Sequence, residues 1–147
     1  TQGFKSLLPE INKVSKDFIL CAPDLGATKK TFDLVMALGH TEYVQGIKIR
    51  DTSTGDIVRC EVTDYEVMFG RDVVIVDDIA DGGASFVYLA EKLKAKGAKK
   101  EILYVTHGIF SKGLSCLAGK VDKIFVHNLM EKYINIRDLE LFNRGDK

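Results

Sequence analysis

The sequence has no excess of charge of either sign: its 147 residues carry 21 basic and 21 acidic side chains. Neutralising nucleic-acid phosphates takes a surplus of Lys and Arg, so the balance argues against a nucleic-acid partner. Long apolar runs are also lacking. None approaches the roughly 18 residues that a membrane-spanning helix needs, so no membrane role is expected. Residues 1–16 carry charges throughout and offer no signal-peptide core. Cysteine is scarce, and Cys21, Cys60 and Cys116 form no Cys-x-x-Cys pair. Their spacing to His40, His107 and His127 does not suit zinc. An odd number of cysteines among apolar neighbours predicts buried free thiols in a reducing cytosol, hence a cytoplasmic protein. No Gly-x-x-x-x-Gly-Lys is present, which excludes a P-loop. The chain starts at Thr1 without Met, and we expect a processed product or a piece of something longer.

What is present suits one globular domain spanning 1–147, with an ordinary 46% hydrophobic content. Phe4, Leu7, Leu8, Ile11 and Val14 recur at helical spacing, which predicts a helix over 4–16. Residues 18–22 are a short apolar run stopped by Pro23, as in a buried strand. Phe32, Val35, Met36 and Leu38 mark a second helix closed by Gly39. Strands are expected at 43–49 and 57–62, separated by the turn-rich loop 51–56, and again at 73–76, 102–106 and 123–126. A helix over 84–96 places Phe86, Leu89, Ala90 and Leu93 on one face and ends at Gly97. Its basic tail, Lys92 to Lys100, reads as solvated charge that complements the helix dipole. Strand, helix and strand alternate with short connections, so the fold class is α/β, a parallel sheet flanked by helices.

The most unusual residues follow the clearest strand. Val73-Val74-Ile75-Val76 runs into Asp77-Asp78-Ile79-Ala80-Asp81-Gly82-Gly83-Ala84-Ser85. Gly82, Gly83 and Ala84 are small enough for the backbone to wrap an anion, and a helix start adds unpaired donors and a favourable dipole. Ser85 adds a hydroxyl. Asp77, Asp78 and Asp81 would repel a bare phosphate but suit sugar hydroxyls, or a cation accompanying a diphosphate. An ordinary strand end followed by an Asp-Gly turn explains each residue singly. It explains three carboxylates and a glycine pair together less well.

This segment resembles the phosphoribosyl-diphosphate (PRPP) signature of type I phosphoribosyltransferases. Together with Ala22-Pro23-Asp24-Leu25-Gly26-Ala27, Lys29-Lys30, Lys48-Ile49-Arg50 and Thr106-His107-Gly108-Ile109-Phe110-Ser111, the chain is most similar to the ribose-phosphate diphosphokinase (PRPP synthetase) family. The resemblance implies a Rossmann-like, type I phosphoribosyltransferase-like sheet and a Mg²⁺-dependent transfer of diphosphate from ATP to the 1-hydroxyl of ribose 5-phosphate. By the same likeness Asp24 would help hold Mg²⁺, with Gly26 and Ala27 receiving the diphosphate. Lys48 and Arg50 would be catalytic, 51–56 a mobile cover, and Asp77, Asp78 and Asp81 to Ser85 the ribose 5-phosphate contacts. Gly82 stands where the family has Thr, so one hydroxyl donor is absent from the loop. The resemblance also implies an amino-terminal half that supplies most ATP contacts and through which homo-oligomers form, so that this chain would be the carboxyl-terminal half of a longer synthetase. Two alternatives stay open: a phosphoribosyltransferase acting on a nucleobase, and a non-catalytic subunit that senses PRPP or a nucleotide.

Overall fold

Strand pleating sends successive side chains to opposite faces, and here both faces of one sheet are apolar. The computed structural model describes residues 2–63 and 65–145. Six strands, β1 Phe18–Ala22, β2 Tyr43–Arg50, β3 Ile57–Thr63, β4 Asp72–Ala80, β5 Glu101–Gly108 and β6 Lys123–Leu129, lie in the order β3-β2-β1-β4-β5-β6. Four helices cover the sheet: α1 Gln2–Val14, α2 Thr28–Ala37, α3 Ala84–Ala95 and α4 Ile136–Asn143. Along β4, Val73 and Ile75 point to the face covered by α3 and α4, where Phe86, Leu89, Leu93, Leu139 and Phe142 are buried. Val74 joins Phe4, Ile11, Leu34 and Val35 of α1 and α2 on the other face. None of the described helices is long and apolar enough to cross a membrane.

Most expected elements form, with instructive differences. The sheet is mixed rather than wholly parallel: β2 and β3 are an antiparallel hairpin around 51–56, while the other pairings are parallel. A six-residue connection has no room for the crossover that parallel neighbours need. The strand expected to end at Val76 runs on to Ala80. β5 extends equally far, so Asp77 pairs with Val105, Ile79 with His107 and Ala80 with Gly108. α4 has no counterpart among the elements expected from the residue pattern. Its start is fixed by Asn135, which accepts from the Asp138 N–H, while Asp138 accepts from the Asn135 N–H. Cys21 and Cys60 are buried as expected, but Cys116 is exposed, on a turn outside the sheet.

The order of strands matters for function. The chain fills one side of β1 with β2 and β3, then crosses to the other side for β4, β5 and β6. The connections leaving β1 and β4 therefore diverge. Open sheets of this kind leave a crevice beyond the carboxyl ends of the two strands.

Candidate functional site

The segment leaving β1 turns at once into a single 3-10 turn, Leu25–Ala27, that leads into α2. Asp24 starts this turn: its Oδ1 accepts from the Ala27 N–H at 3.0 Å. Gln45 on β2 braces it from below. The Gln45 amide donates to the Asp24 carbonyl at 2.9 Å, and its oxygen accepts from the Thr28 hydroxyl at 2.9 Å. Next to Gln45, Gly46 lets β2 run beneath this loop, since a Cβ there would lie 2.6 Å from the Pro23 carbonyl oxygen. The other oxygen of Asp24, Oδ2, faces the Lys48 ammonium at 3.4 Å.

Lys48 is not a solvated strand-edge charge. Its side chain is only 7% exposed, held between Asp24 and the ring of Phe86, whose centroid is 5.6 Å from Nζ. Arg50, two residues on and on the same side of β2, behaves differently. It is exposed and donates to the Gly55 carbonyl at 3.0 Å, tying down its own hairpin loop. That loop is braced internally. Asp51 accepts from the Ser53 N–H and hydroxyl, bonds that hold its carboxyl below the usual range.

The continuation of β4 separates the two neighbouring acids. Asp77 follows Val73 and Ile75 onto the α3 side of the sheet. Asp78 turns to the α2 side, where it pairs with Lys30. Burial, together with the negative charge of Asp24, lifts the Asp77 carboxyl to about 6, against the opposing pull of Lys48 and Lys30. Two carboxylates close enough to repel one another form a place that favours a cation. β4 then ends at Ala80, and only Asp81, Gly82 and Gly83 lie between it and α3. Gly83 is the residue before the first turn of α3 and sits in the left-handed region at φ 86. The first N–H groups of α3 have no helical acceptor and carry the positive end of its dipole.

A cavity of about 710 Å³ gathers Asp24, Lys48, Arg50, Asp77 and the whole run Asp81 to Ser85. Gly26, Ala27 and Asp78 lie outside it and line an adjoining cavity of about 330 Å³ together with Asp24, Asp77 and Lys30. Asp24 and Asp77 therefore stand on the wall between the two. Ile79 and Tyr88, both half exposed, also face the larger cavity and did not figure as site residues in the sequence reading. Neither gives a signal in sequence: each is one more apolar residue in a strand or helix. The same holds for Phe86, read as core only, whose ring also supports Lys48. Among the described residues, no group of three or more His, Cys, Asp or Glu side chains is placed to hold a metal ion by itself.

The profile of the phosphoribosyl synthetase-associated domain matches residues 61–140. The ribose-phosphate pyrophosphokinase of Vibrio vulnificus (strain YJ016) is 36% identical over 96 residues, which are 65% of this chain but 30% of that protein. The chain thus spans about a third of that relative's length. Among solved structures, the APRTase from Giardia lamblia complexed with 9-deazaadenine superposes with a TM-score of 0.71 at 16% identity, over 88% of this chain and 78% of that one. Phosphoribosylpyrophosphate synthetase from Mycobacterium smegmatis superposes at 0.68 and 19% identity, over 97% of this chain and 49% of that one. At such identities the two structures speak for the fold.

Proposed function

The chain belongs to the phosphoribosyl synthetase-associated domain family and has the type I phosphoribosyltransferase-like fold, and from that premise we propose that it is the ribose-phosphate half of a PRPP synthetase. The observation that carries the proposal is the larger of the two cavities at the divergence of β1 and β4. There a buried lysine, two mutually repelling carboxylates and a glycine loop at a helix start face one another.

Each part has a task in that reading. The 5-phosphate lies on the backbone N–H groups of Gly82 to Ser85, in the field of the α3 N-terminus. Asp77 accepts from ribose hydroxyls, which bring donors to a carboxylate with few of its own. Asp78, on the opposite side of β4, acts on the smaller cavity through Lys30. Mg²⁺ fits the Asp24 end of the wall. It usually binds through one or two carboxylates and shares the rest of its shell with water and substrate phosphates. When bound, it supplies charge neutralisation for a diphosphate lying over Gly26 and Ala27. Lys48 is held beside that position, so its charge faces the transferring group where negative charge develops. Arg50 and the hairpin loop 51–56 cover the cavity and exclude water. ATP contacts come from a further part of the synthetase, and the reaction joins the ribose 1-hydroxyl to the β-phosphorus with release of AMP.

Titration calorimetry of ribose 5-phosphate into the chain tests the reading. We expect binding that Gly83→Ala and Asp77→Ala each weaken. Binding left unchanged by both substitutions removes the assignment. The isolated chain should form little PRPP from ATP and ribose 5-phosphate, and robust turnover by it would contradict the division of labour.

A further inference from the structure

The loop that follows β4 does not shape itself. We infer that the segment Ile109 to Leu117, which follows β5, imposes the anion-binding shape on Asp81-Gly82-Gly83, and that Asp81 serves as a clamp on that segment rather than as a ligand contact. The inference rests on the reading of this loop as the phosphate site and assigns positioning residues to it.

Each residue of the turn is gripped from the same side. The Ala80 carbonyl accepts from the N–H groups of both Ile109, at 2.8 Å, and Phe110, at 3.3 Å. Asp81 Oδ1 accepts from the Ser111 N–H at 3.1 Å, and the Ser111 side chain together with this N–H holds its carboxyl below the usual range. The Gly82 carbonyl faces the Cys116 thiol at 3.7 Å. Gly83 then packs on the same turn: a Cβ there would sit 2.9 Å from Cys116 Sγ and 3.8 Å from Leu117 Cγ. Carbonyl and carboxylate acceptors of the turn are thus drawn towards 109–117. The side of Gly82 where a Cβ would project is open, with no other group within 4 Å.

The gripping segment is itself held tightly. Phe110, among the described residues, is the one non-glycine with positive φ, at 51°. Such a backbone persists only where its surroundings over-determine it. Here the Phe110 ring is fully buried, beside Gly108. The turn that presents the Ser111 N–H is therefore anchored in the core, and a carboxylate at 81 has a fixed partner. An ionised Asp81 aimed at a phosphate would oppose binding. Spent on Ser111, it orients the turn instead.

Inorganic phosphate separates the two roles, because it has no sugar hydroxyls. Amide spectra of ¹⁵N-labelled wild type, Asp81→Ala, Asp81→Asn and Cys116→Ala should be recorded free, then titrated with phosphate and with ribose 5-phosphate. The clamp predicts that Asp81→Ala shifts the free-protein amides of Gly82 to Ser85 and weakens both ligands alike, by about tenfold for one lost bond to a charged group. Asp81→Asn keeps the acceptor and should restore both affinities to within about threefold of wild type. Cys116→Ala should move the same amides with a smaller loss. Unmoved loop amides in free Asp81→Ala overturn the inference. So does a loss confined to ribose 5-phosphate, which would make Asp81 a hydroxyl contact. Wild-type loop amides that respond to neither ligand would refute the phosphate-site reading instead, while the free-protein shifts would still decide the clamp.

Discussion

The two walls of the cavity are built on different principles. On the β1–β2 side the working groups are side chains: Asp24, with Lys48 buried between that carboxylate and Phe86. On the β4–α3 side, beside the Asp77 carboxylate, they are mainly backbone groups, shaped by a left-handed Gly83 and a helix start. A charged side chain in a closed pocket acts on whatever charge appears opposite it, including charge that develops only during reaction. A backbone cradle acts on a group already present, such as a phosphate. The first wall should therefore govern turnover and the second should govern binding.

Substituting Lys48 tests that division most severely. In the complete synthetase proposed above, Lys48→Ala should lower PRPP formation by two to three orders of magnitude, since a charged donor in a closed site is worth roughly 3–4 kcal/mol. Ribose 5-phosphate affinity should stay close to wild type. Steady-state rates and calorimetry measured side by side would show it, and equal losses in both would merge the two walls into one. Arg50→Ala should act in the same direction but less strongly, because Arg50 is exposed and already bound to Gly55.

The glycine pair sharpens the other half of the comparison. Gly83→Ala must hold a side chain in the left-handed region against Cys116, which costs on the order of 1–3 kcal/mol. Ribose 5-phosphate binding should fall about tenfold or more, as calorimetry would read. Gly82→Ala has open space and no positive φ to satisfy, so it should change stability by no more than about 0.5 kcal/mol. Equal effects at the two positions would contradict a loop shaped from the β5 side.

A control lies at the far end of the sheet, at the start of β5. Glu101 is buried, one of its oxygens has no partner, and burial lifts its carboxyl from 4.5 to about 8. Lys94 opposes that shift and Asp122 adds to it. The folded state therefore keeps a proton that the unfolded chain has lost. Its stabilising effect is complete below the unfolded value and is lost as pH rises towards 8. Between pH 6 and 8 the wild type should lose stability by up to about 1.4 kcal/mol per pH unit, and Glu101→Gln should flatten that slope. Denaturant unfolding at three pH values would measure it. Ribose 5-phosphate affinity should be indifferent to the substitution, because Glu101 lies at the opposite end of β5 from the cavity.

Much of this arrangement can be read in the residues, and the parts that cannot have physical causes. Residues 18–22 are apolar at every position and bounded by Pro23, so β1 is legible to the residue. The buried face of α3 repeats the expected Phe86, Leu89, Ala90 and Leu93. The polar end of β4 is different. Asp77 and Asp78 look like loop residues because strand carboxylates are rare, and only pairing with an equally long β5 keeps them extended. Adjacent in sequence, they work on opposite sides of the sheet. Lys48 and Arg50 look alike in sequence, and only the folded structure reveals that one is enclosed and the other is not. The helix α4 left a signal, the Asn135 and Asp138 capping pair ahead of Leu139 and Phe142, that is short enough to pass for a loop.

The central claim is that a sugar phosphate lies along the β4–α3 wall, with its phosphate on Gly82 to Ser85 and its hydroxyls towards Asp77, facing Lys48 across the cavity. A crystal structure of the chain with ribose 5-phosphate tests it most directly. The account predicts the phosphate within hydrogen-bonding distance of the first-turn N–H groups of α3 and the ribose facing Asp77. Ribose 5-phosphate bound instead in the apolar cavity between Leu114 and Phe142, or with its phosphate beside Lys30 and away from the glycine loop, would contradict it.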